Sequence, residues 1–224
     1  MNDVVISVRG EHEIRRAPEE AVARLTIRAE GPERGAVVER ISALTEPVRD
    51  DLIARKEAGG VVEWSSQRVS VWSDRPWNAD GKRLAPVHYA SVEVVATFTD
   101  FAALSWWVGD AAEREGVQIG EVEWRLSPAT RVQVERDAAT EAVHVAVWRA
   151  EAYAAALGIG SVTALEVADV GLLSRQSDGA GQPPMLKGMR AASFAADAGG
   201  GSGLHFEPED IVVTAAVEAR FVAR

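Results

Sequence analysis

The segment from Glu135 to Gly158, ERDAATEAVHVAVWRAEAYAAALG, holds nine alanines and one tryptophan. Alanine is the strongest helix former and has almost no side chain to place, so a helix built this way can lie at backbone distance from its neighbour. Projected at about 100° per residue, it puts Ala139, Ala142, Val143, Ala146, Ala150, Tyr153, Ala154 and Leu157 on one stripe, the expected core face. Val145, Trp148 and Ala152 form a second, narrower apolar strip beside Ala138 and Glu141. A helix with such a face calls for a sheet to lie along.

The rest of the chain supplies strands. Val4, Ile6 and Val8 alternate with polar residues, as do Ala21, Ala23, Leu25, Ile27 and Ala29, which is the period-2 pattern of half-buried strands. The link from Arg16 to Glu19 is short and contains Pro18, so a hairpin between these two is expected. Val37, Ile41, Leu44, Val48 and Leu52 then mark a helix with Pro47 inside it, where a kink is expected, and Gly59 and Gly60 end it.

A strand from Val61 to Trp72 follows, and a loop leads to a strong strand at His88 to Thr97, with Ala90, Val92, Val94, Ala96 and Phe98 on one face. A second helix over Asp100 to Glu115 buries Phe101, Leu104, Val108 and Ala111, with Asp100 placed to cap it. Val122 to Leu126 alternates ahead of the alanine helix, and strands at Leu165 to Val167 and Ile211 to Phe221 follow. Helices and strands interleave irregularly, so the expected class is α+β: a mixed, largely antiparallel sheet with a kinked helix, a second helix and the long alanine-rich helix packed on it. One domain over 1–224 is expected, with a Gly/Pro-rich flexible arm or loop at 174–208. Met185, Met189, Ala192 and Ala196 stand at helical spacing inside that arm, which leaves a short docking helix as the alternative.

A formal net charge of -10 argues against general nucleic-acid binding, which requires a basic stripe, and against anionic membrane surfaces. The chain has no cysteine, so disulfide and thiolate chemistry are excluded. No apolar run approaches a membrane span, and MNDVVISVRGEHEIRR alternates where a signal peptide would be continuously apolar, so cytoplasmic residence is the expectation.

Reaction chemistry leaves little trace. His12, His88, His144 and His205 are scattered, and HEIRR at His12 to Arg16 lacks the second histidine of a zinc-protease helix. PWNADG at Pro76 to Gly81 copies half of a calcium loop, but Pro76 and Val87 stand where carboxylates are needed, and Asn78, Asp80 and Gly81 suit a tight turn. GIGSV at Gly158 follows a helix, whereas a dinucleotide-binding glycine turn follows a strand. No cofactor, metal or catalytic residue is expected.

Aromatic residues carry the remaining signal. Trp106 points nearly opposite Leu104 and Val108, and Trp148 lies outside the main alanine stripe. Either neighbouring helices cover them within one subunit, or Trp106, Val145, Trp148 and Ala152 form an interface, where tryptophan is enriched. Trp72, Trp77 and Tyr89 around the central hairpin could line a small-ligand or peptide pocket, or pack beneath a loop.

The stretch RAEAYAAALG at Arg149 to Gly158 resembles the alanine-rich helix and terminal glycine of the SIMPL domain family, DUF541. ISVRGEHEIRRAPEEAVARLTI is similar to that family's first hairpin, with Gly10, Pro18 and the strand through Ile27 in place. HYASVEVVATFTDFAAL, VEWRLS and FEPEDIVVTAAVEARF resemble its central strand entering a helix, the strand before the alanine helix, and the closing strand. Two features depart from the pattern: no signal peptide is visible, and Glu209 stands where a glycine usually follows the proline. The resemblance implies a sheet backed by helices, no known catalysis and an inclination to homo-oligomerise; some relatives are linked to oxidative stress and an animal one binds a signalling kinase. It transfers no site residue.

Overall fold

A computed structural model of the chain describes residues 3–173 and 206–224. The arm expected at 174–208 therefore lies outside the described residues as far as 205. In chain order the elements are β1 (Val4–Arg16), β2 (Glu20–Gly31), α1 (Arg34–Glu57), β3 (Val61–Asp74), β4 (Val87–Phe98), α2 (Phe101–Ala112), β5 (Val117–Arg125), α3 (Pro128–Ala156), β6 (Val162–Asp169) and β7 (Ile211–Ala223). This is an α+β fold whose strands divide between two antiparallel sheets, one in each of two compact units.

One unit holds β1, α3, β6 and β7, with strand order β1-β7-β6. β1 alternates buried and exposed residues through Gly10, and its register with β7 runs from Val4 opposite Ala223 to Arg16 opposite Ile211 without a shift. Ile6, Val8, Val217, Ala219, Phe221 and Ala223 turn inward and meet Ala142, Ala146, Ala150 and Ala154 of α3. The helix backbone lies directly on β1: a Cβ at Gly10 would fall 1.9 Å from the Ala142 carbonyl oxygen and 2.7 Å from the Ala146 nitrogen. The alanine surface of α3 is thus matched by a missing side chain on the strand.

The buried row of α3 is Val134, Ala138, Ala142, Ala146, Ala150 and Ala154, every fourth residue. The expected stripe is corrected at four residues: Ala139, Tyr153 and Leu157 are exposed, and Ala138 belongs to the core row. A row at spacing four is inclined to the helix axis, so the direction of burial turns along a long helix crossing a twisted sheet. One fixed projection cannot follow it. The helix also begins earlier than Glu135, with Pro128 at its first position, where the absent N–H costs nothing.

The other unit carries β2 to β5 with α1 and α2, in strand order β3-β4-β2-β5. Ala21, Ala23, Leu25, Ile27 and Ala29 of β2 share a core with Ala90, Val92, Val94, Ala96 and Phe98 of β4. Val37, Ile41, Val48 and Leu52 of α1 cover it together with Leu104, Trp107 and Val108 of α2. The α1 helix continues through Pro47 and ends where Gly59 adopts a φ of 83°. At α2 the Asp100 carboxylate accepts from the Ala102 and Ala103 amides at 2.9 and 3.0 Å, the expected cap.

The hairpin expected between the first two strands does not form. β1 pairs with β7, whereas β2 pairs with β4 and β5. Tight hairpins need a residue at positive φ in the turn, and Arg16, Ala17, Pro18 and Glu19 include no glycine or asparagine. The rigid Pro18 link instead carries the chain from one sheet to the next.

Candidate interaction sites

Burial separates the tryptophans of the helices sharply. Trp107 is 1% exposed, its ring 5.1 Å from that of Phe98, while Trp106 beside it is 58% exposed. On α3, Trp148 is 67% exposed. Within its own unit neither Trp106 nor Trp148 is covered. Val145 is half-buried and Ala152 exposed, so the strip foreseen on α3 is open along most of its length. Trp106 and Trp148 belong to different units.

The α3 strip has a defined neighbour. Val145 and Ala152 lie four and three residues from Arg149 and flank it on the helix surface, whereas Trp148, midway between the buried Ala146 and Ala150, projects away from the sheet. Arg149 Nη1 donates to the Arg9 carbonyl of β1 at 2.8 Å. Ala156, with Tyr153 and Leu157, lines a shallow apolar groove along Val4 to Ser7. This flank of α3 therefore overlooks the edge of β1 that does not face β7.

At the β3–β4 hairpin, Trp72 stands opposite Tyr89, and their rings stack at 5.4 Å with planes 17° apart. Trp72 is 45% exposed. Trp77 takes a different partner: the Arg83 guanidinium lies 4.9 Å from its ring centre, and a bridge joins the two residues. The turn between them is closed by Asn78, whose Oδ1 accepts from the amides of Asp80 and Lys82 at 3.1 and 2.8 Å. The structure thus brings Trp72 and Tyr89 together and ties Trp77 to Arg83.

Two polar pairings were not visible in the sequence. Ser73 Oγ lies 2.6 Å from His88 Nδ1, a cross-strand contact between residues fifteen apart in the chain. Glu20 is buried, and its Oε2 accepts from Arg125 Nε at 2.7 Å while Arg125 also faces Glu63 at 3.7 Å. Both depend on strand register, which sequence spacing alone does not reveal. His12 is half-buried on β1 opposite Ala215, and His144 lies 3.3 Å from Glu141 on the surface of α3.

These features describe an α+β protein whose exposed chemistry is aromatic and strand-edge in kind. The model of the SIMPL family, described as a protein of unknown function (DUF541), matches residues 6–221, and the chain belongs to that family. No curated protein matches it. Among the described residues no helix is long and apolar enough to cross a membrane.

Proposed function

We propose that this protein works by association and not by catalysis: a self-assembling scaffold or interaction protein of the cytoplasm, with a role in stress as one setting for it. The observation that carries this is the exposure of Trp106 and Trp148 on helices whose opposite faces are already packed. A tryptophan exposes a large apolar area to water, and covering it is a strong source of binding free energy. Replacing Trp106 and Trp148 by alanine is expected to lower the mass of the assembly in solution, measured by light scattering on a sizing column. An unchanged mass in both variants would remove these contacts from the account.

A second role, as a small-ligand or peptide-binding module, is supported by the Trp72–Tyr89 stack, which presents a flat aromatic surface to solvent. Tryptophan emission of the wild type and of Trp72→Ala, titrated with sugars, aromatic amino acids and short proline-rich peptides, tests it. A response lost in Trp72→Ala supports the module. A response that survives the substitution, or none at all, counts against it.

A further inference from the structure

Among the described residues four strands end the two sheets, and each could offer its outer backbone to another chain. Three are interrupted: β6 shifts register against β7 between Ala164 and Glu166, β5 is offset against β2 at Ala23/Leu25, and β3 shifts twice against β4. Bulges of this kind twist an edge away from further pairing. β1 carries none over its thirteen residues, and it contains no proline. It is the edge best formed to accept another strand.

The geometry points to a second copy of this chain as the occupant, joined by antiparallel pairing of β1 with β1 about a two-fold axis at Gly10. This adds a contact surface to the self-association proposed above and rests on that reading. Arg149 reaches the Arg9 carbonyl from α3, which marks that carbonyl as lying on the edge turned away from β7. By the alternation of antiparallel strands, the peptide groups of Val5, Ser7, Glu11 and Glu13 face the same way. A carbonyl has two lone pairs, so Arg9 can keep Arg149 and still accept from a neighbouring strand.

Charge selects the register. Full overlap of the strand sets Val4 opposite Arg16 of the partner subunit. On the exposed face it sets Arg9 opposite Glu11 of the partner subunit, twice by symmetry, and Ser7 opposite Glu13 of the partner subunit. Sliding by one pair in either direction puts Arg9 against the partner's Arg9, or Glu11 against the partner's Glu11, and like charges directly opposed are destabilising. Within one chain Arg9 and Glu11 already lie 3.4 Å apart, so both extend over the same patch of strand.

The helix side of the strand agrees with this register. Ile6 meets Ile14 of the partner subunit, which enters the groove lined by Tyr153, Ala156 and Leu157. Pairing the edges also brings the two α3 helices side by side, through the flank that carries Val145, Arg149 and Tyr153. A continuous six-stranded sheet with two helices on one face results, and that flank of α3 becomes its seam.

The test is a charge exchange read by light scattering over a concentration series. Arg9→Glu and Glu11→Arg, each alone, set like charges opposite one another twice per dimer, and each is expected to weaken association about tenfold or more. Mixing the two single variants restores both attractive pairs, because every Glu then faces an Arg. The double variant R9E/E11R does the same within one chain. Recovery in the mixture and in the double variant supports this pairing, since a loss of folding would not be cured by mixing. If the wild type associates and the single variants do so equally well, or if mixing fails to restore a loss, this edge is overturned while self-association stands. A wild type that is monomeric at every concentration overturns both.

Discussion

Gly10 shows how one absent side chain sets the packing of a whole unit. The α3 backbone occupies the space that a β-carbon would need, and neither strand nor helix can yield without parting Ile6 and Val8 from the alanine row. Gly10→Ala is therefore expected to destabilise by about 3 kcal/mol or more, at or beyond the upper end of overpacking costs, because the clash is with backbone. Chemical denaturation measures it, and a loss under about 0.5 kcal/mol would contradict the close contact. A surface change such as Ala152→Ser should stay within about 0.5 kcal/mol. The alanine content of α3 announced a close neighbour, but Gly10 gave no sign of being that neighbour. It sits more than a hundred residues away, and glycine in a strand has many uses.

At the scale of elements, α2 carries its own internal control. Trp106 and Trp107 are adjacent in sequence, yet one is exposed and the other fills the core against Phe98. Trp107→Ala is expected to cost about 3–5 kcal/mol through lost burial and a cavity, whereas Trp106→Ala should leave the unfolding free energy of the dissociated chain nearly unchanged. Equal losses at the two positions would refute this division. Asp100→Ala should cost about 1 kcal/mol by freeing the amides of Ala102 and Ala103. The cap, the stripes of β2, β4 and α1 and the class of fold were legible, since local periodicity and capping chemistry decide them. The pairing of β1 was not, because period-2 alternation identifies a strand without naming its partner. The Trp72–Tyr89 stack shows the same limit: both residues stood out as aromatic, and only the register of β3 on β4 makes them a pair.

For the molecule as a whole, the chain folds into two compact units with separate cores, and β1 and β2 carry it from one sheet to the other across three residues. The Arg16–Glu19 link, read as a turn, is the connector between sheets. Among the described residues, the exposed features include Trp106, the α3 strip with Trp148, the stacked pair of the hairpin and the unbroken edge of β1. A buried area of the size a stable dimer needs requires several such features on one face, and the β1 edge, its groove and the flank of α3 with Val145, Arg149 and Tyr153 adjoin one another. The absolute mass of the wild-type protein, followed by light scattering across a wide range of concentration, decides whether the chain self-associates. The expected mass is at least twice that of the 24.0 kDa chain, falling toward one chain only on dilution. A mass of one chain throughout would contradict it.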